Sequence, residues 1–487
     1  MHFETSRPRL TRPRLTALAA AGSLAIGSVV VASPAIGQAP PGPVPYAQLW
    51  SPTGSPDRVV MTPTATPATS QSVSWRTSTD VQTPIAEIVV AEAGPGFKNY
   101  DGRSGRNEVR QVVDEVSGDV AETLHYPMRF HTATFEGLTP DTTYLYRVGD
   151  GSNHNRSNWS EWFEFTTATA GASDFSFIYV GDAQNNMKEH VSRVFRRAFQ
   201  ERPNAELFVH AGDLIDVGDR DFEWGEWFHA NDVTAGNINQ LATPGNHEYF
   251  REAAANNVLN PYWETQFTYP DNGPKPGADV TDTTVHDLLD KGNVYYVDYQ
   301  GVRFVSLDSN AGQAFPSSQP ERRREWYEIQ AEWLDGVLAD NPNQWTVVFF
   351  HHPIFSVSSG RDNPLQRELW LPVIEGHDVD LVLQGHDHTY GRGHLKNTAS
   401  GNSGVHKGTV FAVSVSGPKM YNVSGQVWTD NDAVMASSGQ DTQLFQIIDV
   451  SGRELRYEAR NALGEFHDGV SIKKTPSGNK NVQPLRR

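Results

Sequence analysis

The chain has 487 residues and a formal net charge of -18, with 38% hydrophobic and 20% charged residues. Such a length accommodates two or three domains of about 100–200 residues each, and the ordinary hydrophobic fraction excludes disorder throughout. The acidity argues against nucleic-acid binding and against adsorption to anionic membranes.

Arg7, Arg9, Arg12 and Arg14 precede an apolar, small-residue run from Leu15 to Val31, with cleavage sites offered at Gly37 and Ala39 or at Ser33 and Ala35. This pattern predicts an export signal over residues 1–39. It implies a secreted or periplasmic bacterial protein with no membrane anchor after cleavage. No later run approaches the roughly 18 apolar residues that span a bilayer. The chain has no cysteine, which excludes disulfides, thiolate metal sites and cysteine nucleophiles.

Residues 40–56 are Pro-rich and predict an extended linker. Residues 57–167 read as all-β, with short alternating runs such as Ser72 to Arg76, Ile85 to Val90, His131 to Phe135 and Trp162 to Thr167. Strands at this spacing, with Trp75 as an early core candidate, predict a β-sandwich. After the short linker Ala168 to Ser173, strands alternate with helical patterns over residues 174–473, which predicts an α/β domain. Met187 to Glu201 and Pro320 to Leu338 are the helix candidates; Trp326, Ile329, Trp333 and Val337 share one face of the second and read as core. Asn293 to Tyr299 and Val302 to Asp308, joined by Gln300-Gly301, predict a hairpin. Thr409 to Ser416, Thr442 to Val450, Glu454 to Ala459 and Val470 to Lys473 read as strands that finish a second sheet. Residues 474–487 are polar and predict a flexible tail.

Five segments of the α/β region carry metal-capable residues. They are Gly181-Asp182-Ala183-Gln184, Gly212-Asp213, Gly245-Asn246-His247-Glu248, His351-His352-Pro353 and Gly385-His386-Asp387-His388. Apolar runs lead into them, so the side chains are expected at strand ends, where α/β folds build sites. Carboxylate and amide oxygens mixed with imidazoles suit divalent first-row metals. A shared carboxylate between two such sets is the layout of a two-metal hydrolytic site.

In this order the five segments resemble the calcineurin-like metallophosphoesterase superfamily. The stretch Leu138 to Val148, with Leu-x-Pro-x-Thr-x-Tyr-x-Tyr-x-Val, resembles a fibronectin type III domain. Together they are most similar to the purple acid phosphatase branch, over roughly residues 45 to 470. The resemblance implies a sandwich followed by a four-layer α/β/β/α metallophosphoesterase domain. It implies two divalent metal ions, Mn, Zn or Fe. One would take Asp182, Asp213 and His388; the other would take Asp213, Asn246, His351 and His386. A water activated between them would attack a small-molecule phosphoester. Asn246 and His247 would contact the phosphoryl group, and His247 would protonate the leaving oxygen.

The chain departs from that branch at two positions. Asp216 stands where the branch has a ligating Tyr, and Gln184 stands where it has Gly. Gln184 either gives a carbonyl oxygen to the first metal or hydrogen-bonds behind it; Asp216 is either a ligand or a turn residue. Loss of the phenolate implies a colourless enzyme. Arg361 lies where the family often has further histidines, and is a candidate phosphate contact. His352 reads as structural, since neighbours on a strand face opposite ways. Glu248 reads as a residue that orients a ligand or a histidine behind the ligands, and Arg392 as either a site residue or an ion-pair partner. A phosphomonoesterase is the first expectation. A phosphodiesterase acting on nucleotides or lipid head groups is the alternative, and a non-catalytic binding protein the third.

Overall fold

The computed structural model describes residues 46–95, 110–114, 126–151, 158–251, 257–400 and 404–485. The export signal expected over residues 1–39 lies outside them. Among the described residues no helix is long and apolar enough to cross a membrane.

The N-terminal region forms two facing sheets. Asp57–Thr62, Ser70–Ser78, Met128–Glu136 and Arg110–Asp114 make one; Ile85–Val90, Thr143–Gly149 and Phe163–Thr166 make the other. Val73, Trp75, Phe135, Tyr146 and Phe165 fill the space between them. Ser70–Ser78 is nonetheless buried almost throughout, on its polar face as well. That face lies against the α/β region, where Arg76 Nη1 donates to Asp221 Oδ2 at 3.1 Å, and at the start of the strand Gln71 Nε2 donates to Asn239 Oδ1 at 2.7 Å. Tyr146 also reaches across, its hydroxyl donating to the Gly236 carbonyl at 2.7 Å.

The α/β region has two seven-stranded sheets packed face to face. In the first, Asn239–Ala242, Leu207–His210 and Phe175–Val180 run parallel, and Leu444–Ser451 pairs antiparallel beside them. In the second, Val302–Ser306, Trp345–Phe349, Leu381–Gln384 and Val410–Val413 run parallel. Alternation sorts the side chains. Phe177 and Tyr179 enter the core between the sheets with Val347, Phe349 and Leu383. Ile178 and Val180 face outward onto the helices Ser192–Glu201 and Asp221–Ala230. On the far side Val348 and Val382 meet Trp326 and Leu334 of the helix Pro320–Ala339. Both faces are covered, which is why these strands read as continuous apolar runs. The architecture is the expected sandwich plus four-layer α/β/β/α domain.

The expected hairpin forms between Tyr295–Tyr299 and Val302–Ser306. Gln300 and Gly301 both take positive φ, 46° and 90°, as a two-residue turn of this kind requires. Three expectations need correction. Residues 46–50 of the presumed extended linker form a 3-10 turn, and the Trp50 carbonyl accepts from Arg76 Nη2 at 2.8 Å. The late strands do not finish one sheet: Val410–Val413 joins the second, while Leu444–Ser451, Glu454–Asn461 and Phe466–Lys474 extend the first. The presumed tail contains the strand Lys480–Pro484, paired with Phe466–Lys474. The buried Lys480 ammonium anchors it, donating to the carbonyls of Asp378 and Val379 at 2.8 and 2.7 Å.

A buried ion-pair network joins the two regions. Arg58 grips the Asp221 carboxylate at 2.6 and 2.9 Å, Arg76 reaches it at 3.1 Å, and Arg76 also holds Asp57. Burial works against the Asp221 charge, but the two guanidinium groups outweigh it and hold the carboxyl below its ordinary range. Its stabilising contribution is therefore fully present above about pH 4 and lost only as pH falls toward that lowered value. Removing one partner from a buried pair strands the others, so Asp221→Ala is expected to cost about 3–5 kcal/mol in denaturant unfolding.

Candidate metal centre

All five metal-capable segments follow strands, and the parallel strands of both sheets bring their C-terminal ends to one rim. Two groups of ligand atoms form there: Asp182, Asp213 and His388 in one, His351, His352 and His386 in the other. Asp213 stands between them. Its Oδ2 lies 3.1 Å from His351 Nε2 and accepts from Gln184 Nε2 at 2.8 Å, while Gln184 Nε2 lies 3.1 Å from His388 Nε2. Asn246 Oδ1 and His386 Nδ1 each lie 3.2 Å from His351 Nε2.

The residues fit divalent cations. Asp182 Oδ1 and Gln184 Oε1 are buried with no hydrogen-bond partner among the described residues. Turning the Gln184 amide over would aim Oε1 at Asp213 and His388, an arrangement that a cation stabilises. His351 and His388 each have Nδ1 on a backbone carbonyl, of Ala211 at 2.9 Å and Lys419 at 3.0 Å. Each therefore directs Nε2 inward, the usual posture of a ligating imidazole. Burial, aided by Asp213, pushes the Asp182 carboxyl well above its ordinary range. Burial likewise holds His388 down to about 3 and His386 far below its usual value, so both are neutral, the form that coordinates. Positive charge placed here relieves the carboxylates without opposing these imidazoles.

The backbone is strained at the same places. Asp182, Asp213, His386 and His388 have φ of 28°, 51°, 73° and 50°. Left-handed backbone at non-glycine residues costs of order 1–3 kcal/mol each and persists where surrounding structure enforces it. Glu248 is one enforcer. Its carboxylate accepts the amides of Asp213, Leu214 and Gly245 at 2.9, 2.8 and 2.6 Å, with Ile215 at 3.2 Å. It orients Asp213 through backbone, not through a histidine. Burial and the Asp213 charge push its carboxyl up to about 7, against those amides.

His247 sits at the edge of the cluster. Its amide donates to Asp213 Oδ1 at 2.9 Å, its ring Nδ1 bonds the Asp216 carbonyl, and Nε2 is 3.9 Å from Asp213 Oδ2. A cavity of about 400 Å³ opens beside it, lined by Asp216, Asn246, His247, Tyr249 and Phe250 among others. The Asp216 carboxylate lies 3.5 Å from His247 Nδ1 and belongs to neither ligand group.

Arg361 lies at the rim. Its Nη1 bonds the His386 carbonyl, and its guanidinium lies over Tyr421 at 5.0 Å. Nε and Nη2 have no protein acceptor among the described residues. Arg392 is an ion-pair partner, with Nη2 3.0 Å from Asp468 Oδ1. The reading of His352 as facing away fails. The strand Trp345–Phe349 ends before it, so alternation no longer applies. Its ring comes within 4.1 Å of the His386 ring, with Nδ1 2.9 Å from Ser309 Oγ. Lys419, Tyr421, Ser309 and Glu223 were not singled out, since no local pattern marks them.

Gly245 lies so close to Asp213 that a β-carbon on it would fall 2.1 Å from Oδ1 and 2.3 Å from the amide nitrogen. Gly245→Ala is therefore expected to displace the carboxylate and weaken metal binding by about 10–100-fold. Metal titration checks this, with the far-UV circular dichroism spectrum unchanged.

Residues 56–167 match the family described as purple acid phosphatase, N-terminal domain, and residues 175–390 match calcineurin-like phosphoesterase. An uncharacterized protein of Mycobacterium tuberculosis is 27% identical over 362 residues, covering 69% of this chain and 61% of its own length. Probable inactive purple acid phosphatase 27 of Arabidopsis thaliana is 21% identical over 379 residues, covering 70% of this chain and 57% of the relative. The chain thus spans about 60% of the length of these curated relatives. The solved structure of purple acid phosphatase PPD1 from yellow lupin seeds superposes with a TM-score of 0.65 at 17% identity, covering 87% of this chain and 75% of that one. Residues 175–390 thus match the calcineurin-like phosphoesterases, residues 56–167 match the purple acid phosphatase N-terminal domain, and the fold of the two together is that of a purple acid phosphatase.

Proposed function

We propose that this protein is an exported, metal-dependent phosphoesterase that hydrolyses small-molecule phosphomonoesters. The observation that carries the reading is the buried Asp213 carboxylate, which meets Gln184 at 2.8 Å on one side and His351 at 3.1 Å on the other; Gln184 in turn lies beside His388, and His351 beside Asn246 and His386. Asp182, Gln184, Asp213 and His388 would hold one divalent ion, Mn, Zn or Fe. Asp213, Asn246, His351 and His386 would hold a second. Bound cations supply Lewis acidity toward the phosphoryl oxygens and an activated water.

The remaining work falls to side chains. Asn246 and His247 border the cavity and contact the phosphoryl group. The free donors of Arg361 reach a phosphoryl oxygen from the rim. The water oxygen bonds to phosphorus and gives up a proton to solvent, the bond to the leaving oxygen breaks, and that oxygen takes the Nε2 proton of a doubly protonated His247, which keeps its Nδ1 proton. His247 Nδ1 stays on the Asp216 carbonyl, which fixes the ring in place. The export reading rests on the N-terminal sequence alone.

The test is hydrolysis of mono- and bis-p-nitrophenyl phosphate by metal-stripped protein reloaded with Mn, Zn or Fe. Metal-restored turnover, faster on the monoester and lost by at least about 100-fold in Asp213→Ala, is expected. Faster turnover of the bis-aryl ester would move the assignment to a phosphodiesterase. No turnover with any metal would defeat the reading and favour a binding role. With Asp216 standing where the branch has its ligating Tyr, and turned to His247, the iron-loaded protein is expected to be colourless; an intense visible band would contradict this.

A further inference from the structure

The sandwich reaches the site through an unbroken run of polar contacts. Arg58 and Arg76, both from sandwich strands, hold Asp221 at the first position of the helix Asp221–Ala230. Arg58 Nη2 also takes the Asp221 backbone carbonyl at 3.0 Å, so the helix start is fixed in place as well as in charge. Two residues on, the Glu223 carboxylate accepts the amides of Asp216 and Val217, each at 2.8 Å. Arg220 lies 3.2 Å from the other Glu223 oxygen. The Asp216 carbonyl then holds His247 Nδ1. Asp221 and Glu223 are 2% and 6% exposed, so water does not compete for these contacts. Further bonds along the same seam, Met61 amide to Ala235 carbonyl at 2.8 Å and Gln71 to Asn239 at 2.7 Å, keep the sandwich from sliding against the helix.

We propose that the sandwich is a positioning element for His247: Arg58, Arg76, Asp221 and Glu223 fix the turn whose carbonyl orients that ring. These four are positioning residues, since none touches the phosphoryl site. The inference rests on His247 as the proton donor of the proposed reaction. A ring held through one nitrogen keeps the other aimed at the leaving oxygen. A slackened turn lets the ring rotate, and the loss falls on substrates whose leaving group needs a proton.

The test compares p-nitrophenyl phosphate, whose leaving group departs unprotonated, with glycerol phosphate, whose alkoxide needs a proton. The metal-loaded full chain is used. Glu223→Ala slackens the turn without touching the interface. Asp221→Asn loosens the interface while keeping the side-chain shape, and Glu223→Ala keeps the test open should that variant fail to fold. Both are expected to lower the alkyl-to-aryl ratio of kcat/KM by about 10- to 100-fold, in the direction of His247→Ala. Arg147→Ala, which breaks a pair with Glu87 inside the sandwich, is the control and should leave the ratio unchanged. A folded Glu223→Ala protein with the wild-type ratio would overturn the proposal.

A second readout does not need activity. Long-range 15N–1H spectra of the histidines should show His247 with a fixed Nδ1–H in the wild type and tautomer averaging in Glu223→Ala. Wild-type protein inactive on every ester but with this spectral change would sink the phosphoesterase reading and keep the positioning. Fixed tautomers in both proteins would sink the positioning.

Discussion

Asp213 is a carboxylate buried to 1% exposure on a left-handed backbone, and much of the molecule is arranged to keep it there. Its side-chain oxygens meet Gln184, His351 and the His247 amide, while Glu248 holds its own amide and that of the next residue. A charge so placed is costly without a counter-charge. The neighbouring His351 answers part of that cost, and a cation bound here would answer the rest. The two large sheets serve the same end. Pressed face to face, they align parallel strands so that donors from distant parts of the chain meet at one rim.

The strain at the rim is distributed over several supports. Asp182, Asp213, His386 and His388 all depart from ordinary backbone, and each has contacts that hold it. The His386 amide donates to Asp182 Oδ2 at 2.6 Å, and Asp182 in turn lies within reach of His388, at 3.8 Å. The Gly385–His388 turn is clamped from behind, where the Asp387 carboxylate lies 3.6 Å from Arg361 and accepts the Ser358 amide at 3.3 Å. The directions of these donor atoms are thus set by protein contacts alone, which would lower the reorganisation that cation binding requires.

The sandwich is joined to this centre by polar burial as well as by apolar contact, where Val60, Met128 and Phe130 enter the cluster that holds Trp224 and Tyr262. Three charged side chains, Arg58, Arg76 and Asp221, are withdrawn from water together. Such a cluster gives little net stability relative to apolar packing, but it tolerates only one register. The cost falls where a particular geometry is needed: at the start of the helix that carries Glu223, beside the turn that holds His247. The adjoining faces of that helix are filled by Trp224 and Trp227, both fully buried, which makes the support rigid.

Much of this was legible in the chain itself. The apolar runs before Asp182, Asp213, His351 and His386 locate strands, because a strand covered on both faces leaves a local signature. The Gln300-Gly301 pair locates its hairpin because few residues take its dihedral angles. The donor types name the chemistry, since oxygen and imidazole ligands select for divalent metals. Tertiary structure alone decided that Glu248 binds amides, that His352 turns toward His386, that the last strand completes the first sheet, and that Arg58 reaches Asp221 across 163 positions of sequence. The physical reason is range. Periodicity and turn chemistry are set by neighbours a few residues apart, whereas the partner of a buried charge is chosen by which surfaces the packed sheets and helices bring together.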